Sequence, residues 1–148
     1  MVAALVLPLA LQALAMGVDE FRFHRARGLS RWERVGHPVD TLSVLACYVV
    51  TLCFAMNPNS LRLYCGLAIF SCLLITKDEP LHLKRCEPTE QWLHAVLFLL
   101  HPIALGCAYL LWQRGERELL MMLTVLTTLW GFYQTIYWNT RWLKTLHL

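Results

Sequence analysis

The chain is 148 residues long, short enough for a single domain, and 57% of it is hydrophobic against only 16% charged. So few charges argue against an ordinary soluble enzyme and point to lipid as the solvent for much of the chain. The formal charge of +3 is small, and the basic residues form no stripe of the kind that holds nucleic acid, which removes nucleic acid as a partner.

Five apolar stretches approach the roughly 20 residues that hydrocarbon thickness requires: 2–21, 38–56, 60–76, 92–112 and 119–138. The fold class expected is an all-α integral membrane protein of about five transmembrane helices. The first stretch has no basic leader, and the polar motif at its end recurs later, so it reads as a mature helix rather than a signal peptide. Asn57-Pro58-Asn59-Ser60 makes a tight connection between the second and third stretches, and residues 113–118 join the fourth to the fifth. Trp32, Trp92, Trp112, Trp138 and Trp142 fit interfacial belts. Ten of the thirteen Lys and Arg residues flank one side of the stretches: Arg22, Arg25, Arg27, Arg31, Arg34, Lys77, Lys84, Arg85, Arg141 and Lys144. Arg62, Arg114 and Arg117 flank the other. The asymmetry predicts an outside N-terminus and a cytoplasmic C-terminus. Of the six cysteines five lie in apolar runs, where a thiol acts as a small hydrophobe, and no disulfide framework is expected. Cys86 alone lies in a polar loop, as a further ligand or a redox-sensitive thiol.

The polar residues repeat. The first stretch ends in Asp19-Glu20-Phe21-Arg22-Phe23-His24 and the third in Asp78-Glu79-Pro80-Leu81-His82. The second opens with Glu33 and His37, the fourth with Glu90 and His94, four residues apart in each case. The offset between copies drifts down by two residues, which a shorter second loop accounts for. The organisation expected is therefore two helical hairpins, about 1–56 and 60–112, forming a four-helix bundle around a pseudo-twofold axis along the membrane normal, with an extra helix at about 119–140. Eight of the ten acidic residues and five of the six histidines fall in these matched regions, at one end of the bundle.

Carboxylates near hydrocarbon are costly unless paired or bound to a cation. A divalent metal meets that cost, since carboxylates share its charge and histidines add neutral nitrogens. Helical residues four apart face one way, so Glu33 with His37, and Glu90 with His94, each offer two ligands to one site. Asp19 or Glu20 with His24, and Asp78 or Glu79 with His82, complete two sets. That inventory suits two divalent ions bridged by carboxylates, iron first, with zinc or manganese as alternatives. It resembles the soluble di-iron carboxylate bundles, whose paired helices supply Glu and Glu-x-x-His ligands, although the spacing here is Glu-x-x-x-His. Asp40 and His101 break the repeat, their counterparts being Leu97 and Val44. They are the candidate catalytic residues, beside Tyr133, Gln134, Tyr137 and Asn139 of the last stretch. Asp40 serves equally as a partner that orients His37, and His101 as a buried, hydrogen-bonded histidine.

The leading expectation is a membrane oxidoreductase that uses O2 at a dinuclear centre on a lipid or other apolar substrate, with electrons from an external donor. A di-zinc hydrolase of a lipid ester, amide or phosphate is the first rival, with Asp40 as general base. A metal or proton transporter, a haem-binding protein and a small scaffold are the non-enzymatic rivals. Helix-end charges that merely anchor the helices are the plain alternative, best suited to Glu87 and the loop arginines.

Overall fold

The computed structural model describes residues 2–145, with side chains through Thr140. The side chains of Arg141, Trp142 and Lys144 lie outside the described residues. Every element described is helical, and five helices are long and apolar enough to cross a membrane: α1 (Val2–Arg27), α2 (Arg31–Cys53), α3 (Pro58–Arg85), α4 (Pro88–Gln113) and α5, whose qualifying span is Arg117–Thr140.

Local chemistry sets the ends. Gly28 adopts φ +77°, a conformation that suits glycine, and stops α1. Ser30 then caps α2 in a reciprocal box with Glu33. Asn57 and Ser60 cap α3 in the same way, with Pro58 in its first turn. Gly115, at φ +71°, turns the chain from α4 into α5.

The helices outrun the apolar stretches at the polar end. α1 continues to Arg27, so Arg22, Arg25 and Arg27 lie on a helix and not in a loop. α2 begins at Arg31, and α3 extends to Arg85. Hydropathy stops where the charges begin, but the backbone does not, because many of those charges find partners inside the bundle. Two predicted belt tryptophans are likewise interior. Trp112 is buried and donates to the Phe54 carbonyl at 3.2 Å, and Trp138 is buried at the polar end.

α1 packs along α4, while α2 packs along both α3 and α5. The apolar core lies in the half of the bundle away from the charges, around Cys47, Tyr64, Ala108 and Leu111, and the Tyr64 hydroxyl donates to the Leu105 carbonyl at 2.6 Å. Large apolar side chains face outward, Leu14, Leu73 and Leu99 among them. A surface of that kind is expected to be covered by lipid or by another apolar surface.

Candidate metal centre

The polar ends of α1, α2, α3 and α4 meet at one level. In α1 the backbone from Asp19 to His24 forms a π-turn. A π-turn accommodates one extra residue and brings positions five apart onto one face. Asp19 Oδ2 accordingly lies 3.2 Å from His24 Nε2, and both residues are buried. In α3 the matching Asp78 and His82 are only four apart, with a 3₁₀ turn from Ile75 to Asp78 and no π-turn. One of the two residues by which the copies differ therefore lies inside a helix. The other lies in the linkers, three residues between α1 and α2 against two between α3 and α4.

Asp19, His24, Glu90 and His94, all buried, offer ligand atoms within 4.8 Å of one another. Asp19 Oδ1 accepts from His94 Nε2 at 3.1 Å, and His24 Nε2 stands 3.9 Å from Glu90 Oε1. The corresponding pairs of the other copy also meet: Asp78 Oδ2 lies 3.9 Å from His37 Nδ1, and Glu33 Oε1 lies 3.9 Å from His82 Nε2. The rings of His24 and His37 stack at 4.9 Å between centroids, and those of His82 and His94 approach to 4.1 Å. Each aspartate–histidine end thus faces the glutamate–histidine start contributed by the other copy. Of the expected pairings, Glu90 with His94 shares one group, whereas Glu33 and His37 face different partners.

Several buried nitrogens are left over. Neither ring nitrogen of His82 has a hydrogen-bond partner among the described residues, although the residue is only 5% exposed. His94 Nδ1, His37 Nε2 and His24 Nε2 are in the same position, the last lying close to Asp19 without hydrogen-bond geometry. Buried polar atoms rarely stay unpaired, and neutral imidazole nitrogens beside carboxylates are metal donors.

Two cations enter the layer. Arg27 spans the matched glutamates, with Nη1 2.8 Å from Glu33 Oε1 and Nη2 2.9 Å from Glu90 Oε1. Lys77 Nζ lies 2.7 and 2.6 Å from the two oxygens of Asp40 and 3.0 Å from Asp78 Oδ2. Asp78 Oδ1 accepts from Trp32 Nε1 at 2.6 Å. His37, Asp40 and Asp78 form a further group of donor atoms around this ammonium.

The remaining candidates divide. Glu20 turns to α5, accepting from the Tyr133 hydroxyl and from Trp138 Nε1 (3.1 Å), with His24 Nδ1 3.5 Å away. Glu79 is half-buried and belongs to no donor group among the described residues. Cys86 joins His82 and His94 in a third group, but burial, with the Glu90 carboxylate as the next cause, pushes its thiol up to about 12. A thiol held that high loses its proton to a metal less readily than the carboxylates beside it.

His101 sits away from the layer with both nitrogens engaged. Ser43 Oγ donates to the Asp40 carbonyl at 2.7 Å, so Ser71 donates to Ser43 and His101 Nε2 donates to Ser71 at 2.9 Å. Nδ1 then accepts from Gln12 at 3.1 Å. Gln134 accepts from Thr41 at 2.7 Å, Tyr137 stacks on Tyr133, and Asn139 bonds to its own helix.

No protein-family model, curated protein or solved structure matches the chain.

A cavity of about 430 Å³ opens beside the layer. Asp19, Glu20, His24, His37, Asp40, Asp78, His82 and His94 line it at the layer, and the mostly apolar remainder includes Leu9, Val44, Leu123 and Leu126 with the polar Gln12, His101 and Gln134. Its volume falls in the roughly 300–1,000 Å³ of small-molecule sites. Sequence reasoning did not find Arg27, Lys77 or Trp32 as parts of this layer, nor Gln12, Ser43 and Ser71 as the network around His101. The one local signal was Lys77 standing next to Asp78; Arg27 was one of five arginines assigned to topology.

Proposed function

We propose that the chain is a membrane-embedded, metal-dependent oxidoreductase with a dinuclear carboxylate–histidine centre at the cytoplasmic end of its bundle, acting with O2 on an apolar chain. The observation that carries this reading is the meeting of the two copies' acid and histidine residues as crossed pairs, with unpartnered imidazole nitrogens, at the polar end of an apolar cavity. Exchanging α1 with α3 and α2 with α4 carries the α1–α4 packing onto α3–α2 and each crossed pair onto the other, which supports a pseudo-twofold arrangement of two hairpins.

Asp19, His24, Glu90 and His94 would hold one ion; Glu33 with His82 and Asp78 with His37, which meet as two pairs and form no single donor group among the described residues, would have to draw together to hold the second. Hard carboxylates mixed with imidazole suit iron or manganese. Bound iron supplies the O2 chemistry, which the protein alone lacks, and electrons come from a carrier outside this chain. The chain's own residues hold and orient that centre. Glu20, anchored by Tyr133 and Trp138, fixes His24 from behind, as a carboxylate beyond the ligand shell does. The apolar walls keep water from the reacting carbon and select a substrate without charge along its length. The hydrolytic alternative draws no support from Asp40, whose two oxygens Lys77 engages in the metal-free chain.

Iron-loaded protein in lipid vesicles, given a reductant and O2, is expected to consume O2 and to yield lipid products that gain an oxygen atom or lose a pair of hydrogens. A His94→Ala variant is expected to do neither. O2 uptake equal in the two proteins, with unchanged lipids, would contradict the reading.

A further inference from the structure

We propose that Lys77 is a resident cation seated in one half of the centre, so that metal fills the open half first and the Lys77 half only after the ammonium moves away. This rests on the reading of the layer as a metal centre. The two halves are built from matched residues, yet three departures from the match converge on one of them. Lys77 stands where the first copy has Val18, Gly36 where the second has Leu93, and Asp40 where the second has Leu97.

The three act together. Asp40 grips Nζ through both carboxylate oxygens, and Asp78 Oδ2 adds a third contact. Gly36 gives the lysine stem its path, since a Cβ there would stand 3.0 Å from Lys77 Cε and 3.2 Å from Nζ. Contact that tight with a side chain pinned at its tip by two carboxylates leaves little room for even an alanine methyl. The ammonium thus lies amid the donor atoms of His37, Asp40 and Asp78.

An ion bound to those oxygens at roughly 2.0–2.2 Å would lie next to the ammonium, and the two positive charges would repel through a poorly screened interior. Lysine and metal therefore compete for the same oxygens. The half does keep donors for a metal: His82, 5% exposed, has two unpartnered nitrogens and faces Glu33 at 3.9 Å. Arg27 bears on a glutamate of each half alike and so does not set them apart, whereas in the open half the position of Lys77 is taken by an apolar residue and Asp19 meets imidazoles.

The test is anaerobic equilibrium dialysis of the full chain in detergent against ferrous ion, with bound iron counted by elemental mass spectrometry. Wild type is expected to bind one iron tightly and a second at least ~10-fold more weakly. Lys77→Met should tighten the second site at least ~10-fold and leave the first within ~3-fold, whereas Lys77→Arg should retain the wild-type pattern. Gly36→Ala, which crowds the lysine stem, should tighten the second site without removing the charge, and it decides the matter if Lys77→Met does not fold. Two equal sites in wild type, or an unchanged second site in the folded variants, would overturn the role of Lys77 while leaving the metal centre standing. No stoichiometric iron in any folded form would overturn the centre and this inference with it.

Discussion

Arg27 holds the matched glutamates of the two copies with one guanidinium, and these partners, Glu33 and Glu90, are almost wholly shielded. Removing one partner of a buried ion pair leaves an uncompensated charge, at a cost of about 3–5 kcal/mol. Arg27→Met is therefore expected to lower the stability of the metal-free protein by about that amount in a denaturation experiment, and adding Glu90→Gln should restore part of the loss. Stability unchanged in the single variant would show that the glutamates do not depend on the guanidinium. At this scale the sequence was informative in one direction. Acids and histidines stand out in an apolar chain, and their matched spacing marked Asp19, His24, Glu90 and His94 among the ligand candidates, but not the crossing that brings ends of different copies together. Lys77, Gly36 and Arg27 were not legible: Lys77 and Gly36 stand opposite apolar residues of the other copy and only packing brings Lys77 to Asp40, while Arg27, matched by Arg85, carries no sign of which carboxylates it reaches.

The π-turn of α1 is the element on which the open half of the centre depends. It places Asp19 and His24, five residues apart, on one face beside Glu90 and His94. Inserting one alanine after the exposed Phe21 would set Asp19 and His24 six residues apart and rotate Asp19 by about 100° relative to His24. The expected result is retained helix content by circular dichroism with iron affinity at the open half lowered at least ~10-fold. Retained affinity would mean that Asp19 is not a ligand. The five helices themselves were legible from hydropathy, as was the turn at Asn57-Pro58-Asn59-Ser60 between the second and third. Their true ends were not, since a charged segment such as 22–27 reads as a loop until its charges are seen to pair. The turn was visible only as a one-residue drift between copies, and nothing local placed that residue in the helix rather than the linker.

At the scale of the whole molecule, the long-range packing of α1 on α4 and of α2 on α3 and α5 creates both the polar layer and the cavity beside it. That pairing depends on shape matching between helix faces, which single-sequence patterning does not specify, so the cavity had no signature in the sequence. Val44, on the cavity wall one helical turn past Asp40, is not itself a donor residue. Val44→Trp is expected to leave iron content unchanged while abolishing lipid turnover, measured as product per iron; turnover at the wild-type level would place the substrate elsewhere. The account as a whole stands on the layer being a metal centre. Elemental mass spectrometry of the protein purified in detergent without added metal tests this most directly, with His94→Ala and Glu90→Ala in parallel. The account predicts stoichiometric iron in wild type, between one and two ions per chain, and its loss in both variants. Well-folded wild-type protein free of bound metal would contradict it.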